Sequence, residues 1–156
     1  MIRWTIIVIF PLAMLLGFSS YARAEQTPFE EVKAWLDANK LVYAVTGEKE
    51  LALGFKGDNV ARIDTIVGFS SEFIHLSAPV GPIPADAGAD YYSKLIDITG
   101  SIPMVKPYID KDRFFYLVID FPLEGLSEDE VINDIALLVE FVDVHYKELY
   151  PWQKEK

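Results

Sequence analysis

Apolar positions in this chain recur first at helical spacing and then at a spacing of two. Phe29, Val32, Trp35 and Leu36 fall on one face of a 3.6-residue period, immediately after the run Thr27-Pro28-Phe29-Glu30. Thr27 offers a capping hydroxyl, Pro28 suits a first helical position that needs no N–H, and Glu30 completes a capping box. A helix is therefore expected over 28–38. From 41 to 79 the period drops to two: Leu51, Leu53 and Phe55 alternate with Glu50, Ala52, Gly54 and Lys56, as in a strand with one buried face. Gly57-Asp58-Asn59 makes a turn, and further strands are expected over 61–69 and 72–78, separated by Ser70-Ser71. Residues 41–46 form either a short leading strand or an irregular lead-in. Connections this short favour antiparallel pairing.

The stretch 79–90 is the one loop rich in proline and glycine. A second helix is expected over about 87–99, with Tyr92, Leu95, Ile96 and Thr99 near one face. Two runs, 104–109 and 114–121, then form a hairpin across Asp110-Lys111-Asp112-Arg113. The last helix opens with a second capping box, Ser127-Glu128-Asp129-Glu130, whose acids sit at the positive end of the helix dipole. Val131, Ile135, Leu138, Val142, His145 and Leu149 continue it in one stripe, widened by Ile132, Val139 and Tyr146, and Pro151 stops it. The expected fold class is α+β: an antiparallel sheet with helices, in the order α-β-β-β-α-β-β-α.

The opening 24 residues differ in kind. A basic start at Arg3 leads into an apolar run of about 15 residues from Trp4 to Phe18, broken by Pro11. That is short of the roughly 20 residues a membrane-spanning helix needs. Ala22 and Ala24 have the small size that a signal peptidase requires. Residues 1–24 are thus expected to be a signal peptide cleaved between Ala24 and Glu25, with 25–156 a single domain. The alternative is an uncleaved N-terminal anchor. The expected location is periplasmic or secreted, with no stable membrane anchor after cleavage.

Setting that segment aside changes the composition. The chain has a net charge of −10, with 14 basic and 24 acidic residues. Two of the basic residues, Arg3 and Arg23, and none of the acids lie in the first 24, so the remainder stands at −12. An acidic domain repels phosphate backbones and anionic lipid surfaces, so nucleic acid is not expected as a partner. The chain has no cysteine, which excludes disulfides, thiol chemistry, cysteine-based metal centres and lipid attachment at the cleavage site.

The passage Leu95-Ile96-Asp97-Ile98-Thr99-Gly100-Ser101-Ile102-Pro103 resembles the helix-to-strand turn of YbjN-like proteins, candidate bacterial sensory transduction regulators with a type III secretion chaperone-like fold. So do the hairpin end Val118-Ile119-Asp120-Phe121-Pro122-Leu123-Glu124-Gly125-Leu126-Ser127 and the closing Leu149-Tyr150-Pro151. The resemblance covers about 29–151 and is strongest from 91 onward. It rests on caps, turns and core positions, and carries over no catalytic residue. The export signal and the proline-rich 79–84 stretch depart from the commoner soluble members. Chaperone-like relatives bind extended segments and often dimerise, so the resemblance implies a protein or peptide partner and a homodimer.

Little in the chain points to catalytic chemistry. His75 alternates with Ile74 and Leu76, so if those face the helices, His75 and Phe73 line the uncovered sheet face. His145, with Glu148 three residues on, reads as a hydrogen-bonded histidine at a packing border rather than the start of a metal site. Gly68-Phe69-Ser70-Ser71 is not a nucleophile elbow, and Asp110 and Asp112 read as solvated turn residues. Neither a catalytic residue, a metal nor a cofactor is expected, and the chain is not read as an enzyme. From Glu25 onward 17 of 132 residues are aromatic. Adjacent pairs such as Tyr91-Tyr92 cannot both face a core, and Tyr150 and Trp152 lie past the last apolar turn. Phe73, His75, Tyr150 and Trp152 are accordingly the candidate contacts for a partner or ligand. The expected function is an exported, non-enzymatic interaction module, chaperone-like or regulatory; the alternative is a small-ligand sensor or carrier of the cell envelope.

Overall fold

A computed structural model describes residues 27–149. The signal-peptide reading of 1–24, the cleavage position at Ala24 and Glu25, and the candidate contacts Tyr150 and Trp152 lie outside the described residues.

Helix α1 (Pro28–Ala38) is followed by strands β1 (Tyr43–Gly47), β2 (Glu50–Phe55), β3 (Ile63–Phe69) and β4 (Phe73–Pro82). Then come α2 (Ala89–Thr99), β5 (Lys106–Ile109), β6 (Phe114–Pro122), α3 (Glu128–Val144) and the single turn α4 (Tyr146–Leu149). Both cap hydroxyls act as the sequence implies. The Thr27 hydroxyl accepts from the Glu30 N–H at 3.4 Å, and the Ser127 hydroxyl accepts from the Glu130 N–H at 3.3 Å. The long helical stripe breaks at His145, which caps α3, and α4 resumes beyond it to bury Leu149 completely.

All six strands form one antiparallel sheet in the order β1-β2-β3-β4-β6-β5. Residues 41–46, open between two readings in the sequence, supply β1. The proline-rich stretch departs from the loop expected at 79–90, because β4 continues through Pro82 with a register shift between Pro79 and Gly81. The register explains why prolines are tolerated there. Pairing with β3 reaches only as far as Ser77, so beyond it β4 is paired on its β6 side alone. Proline lacks the N–H that a doubly paired strand uses, and it survives where one edge is free. Burial of Val80 and Ile83 then makes extension worthwhile despite the breakers.

One sheet face is covered. Leu51, Leu53, Val67, Ile74, Leu76, Phe115, Leu117 and Ile119 meet Val32 and Leu36 of α1 and Val131, Ile135, Leu138 and Val142 of α3, all nearly or wholly buried. Each such aliphatic side chain contributes about 1.5–3 kcal/mol on burial. The alternate residues, Phe73, His75, Ser77, Tyr116, Val118 and Asp120, remain half-exposed on the opposite face. No described element covers that face.

Candidate functional site: the uncovered sheet face

Strand alternation and register together bring one cluster into being. On β4, Ile74, Leu76 and Ala78 are buried, which turns Phe73, His75 and Ser77 outward. On β6, Leu117, Ile119 and Phe121 are buried, which turns Tyr116, Val118 and Asp120 outward. The antiparallel register sets His75 opposite Asp120 and Ser77 opposite Val118, while β5 adds Lys106 opposite Val118 and Tyr108 opposite Tyr116.

Nδ1 of His75 lies 2.7 Å from Oδ1 of Asp120. Lys106 Nζ approaches the other oxygen of the same carboxylate at 3.9 Å. On the far side of His75, β3 presents Gly68, so no side chain crowds the ring from that strand. Together with Pro107, these residues line a groove of about 440 Å³: His75, Ser77, Lys106, Tyr108, Tyr116, Val118 and Asp120. The Tyr108 and Tyr116 rings are 6.0 Å apart at 46°, and Phe114 lies 5.1 Å from Tyr116. Phe73 sits at the end of the same face, 41% exposed and 6.4 Å from the His75 ring.

The hairpin carboxylate supports this wall. Asp110 accepts the N–H groups of Asp112 and Phe114 at 2.9 and 2.8 Å, and the Tyr116 hydroxyl at 3.4 Å. It is a turn cap, not a solvated acid awaiting a partner. Burial, then the Asp110 charge, pushes the Tyr116 hydroxyl above its ordinary value, so it stays protonated and donates.

His75 and Asp120 resemble the base and orienting acid of a catalytic triad, but no hydroxyl among the described residues is hydrogen-bonded to His75. His145 is occupied elsewhere: Nδ1 meets Glu148 Oε2 at 2.7 Å and its ring lies 4.5 Å from that of Phe141. Among the described residues, no three metal-ligating side chains converge.

Phe73 and His75 therefore stand where their alternation places them. Asp120, Lys106, Tyr108 and Tyr116 were not marked out by sequence reasoning as contacts. Tyr116, Val118 and Asp120 do alternate with buried aliphatics, which places them on one face. Only the strand register reveals that Asp120 is opposite His75.

No family model and no curated protein matches this chain. Solved structures do. The candidate transcription regulator YbjN from E. coli superposes with a TM-score of 0.56 at 19% identity, over 74% of this chain and 85% of that one. A chain of the HopA1-SchA chaperone–effector complex gives 0.50 at 14% identity, over 80% and 91%. A chain of the heterodimeric ExoU-SpcU complex from the type III secretion system of Pseudomonas aeruginosa gives 0.50 at 12%, over 76% and 93%. The fold is thus YbjN-like and type III secretion chaperone-like.

Proposed function

We propose that this chain is an exported, non-enzymatic interaction module that holds a protein or peptide partner on the uncovered face of its sheet, in the manner of a chaperone. The observation that carries this reading is the aromatic groove between β4, β6 and β5. Phe73, Tyr108, Tyr116 and Val118 present apolar surface on a face that no described element covers, and such surface marks binding sites when it is contiguous. The fold supports the reading, since it recurs in chaperone–effector and heterodimeric complexes.

The decisive experiment places a photo-crosslinking residue at Phe73 or Tyr108 in the full chain, in its native envelope. Both positions are expected to trap one and the same discrete partner, and the same probe at Glu31, on the helical side, is expected to trap none. Equal capture from all three positions, or none from either face position, overturns the reading.

Export is the second part of the proposal, supported by the basic, apolar and small-residue order of residues 1–24. Intact mass of the protein recovered from envelope fractions is expected to begin at Glu25; a chain that keeps Met1 overturns cleavage. A homodimer is the third part. Ile96, Met104 and Ile109 are exposed at the α2–β5 edge, and a native-mass measurement giving a strict monomer removes it.

A further inference from the structure

We propose that the outer edge of β1 pairs with the same edge of a second copy of this chain, antiparallel about a two-fold axis at Ala44, so that two sheets join into one. This goes beyond the partner-binding reading and is independent of the α2–β5 patch, since β1 stands at the other end of the strand order.

A sheet edge presents unpaired backbone groups, and folds commonly blunt it with proline, lysine or a covering element. The two edges of this sheet differ. β5 carries Lys106 and Pro107, and Pro107 has no N–H to offer. β1 reads Tyr43-Ala44-Val45-Thr46-Gly47, with neither a proline nor a charge, and no described strand pairs with its outer side. Val45 on it and Val42 just before it are 57% and 86% exposed.

The ladder identifies the backbone groups that are free. Phe69 donates its N–H to the Lys49 carbonyl at 3.0 Å, so the odd-numbered residues of β2 turn their backbone polar groups toward β3. Ala52 then faces β1, where it lies opposite Ala44. Ala44 is therefore bonded inward, while Tyr43 and Val45 aim their N–H and C=O groups out of the sheet. In an antiparallel pair, outward-facing groups must meet outward-facing groups. Setting Ala44 opposite its counterpart in the copy places Tyr43 opposite Val45 in both directions, and each such pair exchanges its hydrogen bonds. The close, non-bonded crossing falls on alanine, whose small side chain admits it. Tyr43 and Val45 lie opposite Leu53 and Leu51 on the helical side of the sheet. The seam thus also sets an aromatic ring against a β-branched side chain, a favourable cross-strand pair.

Charge selects a copy as the occupant. Lys40 precedes the strand and Glu48 follows it, equally far along the chain from Ala44. Neither side chain forms an ion pair among the described residues. Five strand residues at ~3.3 Å each hold the two apart within one protomer. An antiparallel copy brings each lysine toward the glutamate of the other protomer. An unrelated strand has no reason to carry this mirrored arrangement, whereas a second copy carries it by symmetry.

The axis stands perpendicular to the joined sheet, so both uncovered faces look to the same side. The two aromatic grooves then lie toward opposite ends of one surface, and a partner that reaches both gains affinity by tethering.

The chain has no cysteine, so a single introduced thiol reads the register. Ala44→Cys is expected to crosslink to its counterpart under mild oxidation, because a non-bonded antiparallel pair brings Cα atoms to about 4.5 Å, within disulfide reach. Val42→Cys, also exposed but off the axis, is expected not to. Equal crosslinking at both positions, or at neither, overturns the seam. Sedimentation equilibrium is then run on the full chain carrying Ile96→Lys, which disables the α2–β5 patch. This variant is expected still to dimerise. A monomer overturns the β1 seam, and it leaves the homodimer reading in place if the wild-type chain dimerises. Val45→Pro removes an outward N–H and no ladder bond, so the dissociation constant is expected to rise about tenfold with the circular dichroism spectrum unchanged. Lys40→Glu is expected to weaken the dimer severalfold, and adding Glu48→Lys to restore it. Both charges are exposed, so this swap decides the matter even if the proline variant does not fold. A dimer indifferent to a folded Val45→Pro, or a charge swap without rescue, overturns the inference.

Discussion

The carboxylate of Asp143, near the end of α3, occupies the space into which a β-carbon on Gly57 would project. From there it accepts the backbone N–H groups of Asp58, Asn59 and Val60 at 3.0, 2.9 and 3.0 Å. The β2–β3 turn is thereby fastened to a helix more than eighty residues away in sequence. Gly57→Ala is expected to lower the melting temperature by displacing this carboxylate, even though alanine is ordinarily the stabilising choice at an unstrained glycine. Asp143→Ala should lower it further, since it strips three N–H groups of their acceptor. Circular dichroism melts of both variants check the order.

The same clamp sets a pH dependence. Burial pulls the Asp143 carboxyl upward, but the N–H groups of Asn59, Asp58 and Val60 outweigh it and hold the group below its ordinary value. A folded-state value below the unfolded one means stability is present above the ordinary carboxylate range. It is lost as pH falls through the depressed value. Asp143→Asn is therefore expected to flatten the acid limb of the stability curve, measured by urea titration across pH.

Asp134 has the opposite sign. It is 7% exposed on α3, and its Oδ2 has no hydrogen-bond partner. Burial, reinforced by the charge of Glu130, raises its carboxyl above the ordinary range. The folded state thus holds the proton more tightly, and stability falls as pH climbs from the ordinary value through the raised one. Asp134→Asn removes the buried charge and is expected to stabilise the fold by about 1 kcal/mol at neutral pH. The gain should vanish in acid. Equal gains at both pH values would count against a buried charge as the cause.

The two sheet faces should respond differently to truncation. Leu76 is fully buried against the helices, and Leu76→Ala is expected to cost about 2–5 kcal/mol, by lost transfer energy and the cavity left behind. Tyr108→Ala, on a side chain 55% exposed, should cost under about 1 kcal/mol and instead weaken partner crosslinking. Denaturant unfolding gives both numbers.

Ser127→Ala removes the acceptor from the Glu130 N–H at the start of α3. With a bond of 3.3 Å, a loss of about 0.5–1 kcal/mol is expected, read from the same unfolding experiment.

Much of this architecture was legible beforehand for local reasons. Thr27-Pro28 and Ser127 announced two helices because capping is decided within three or four residues. The faces of His75 and Phe73 followed from strand alternation, which has a fixed period of two. The extension of β4 through Pro79 and Pro82 was not legible. Whether a proline is tolerated depends on which neighbour pairs with which edge, and that belongs to the sheet rather than to the strand. Asp143 carried no signal either, because its partners are backbone groups in a distant turn.

The candidate site divides in the same way. The sequence alone determined the α+β class, the antiparallel pairing of short-linked strands, the acidic charge, the absence of thiol chemistry, and which side chains share a face. Tertiary structure alone decided that Asp120 meets His75, that Lys106 and Tyr108 close the groove, and that none of the described elements covers the face. The physical reason is the range of the forces involved. Periodicity and capping act along a few residues of chain, whereas register and the choice of covered face are settled by burying the whole apolar set at once.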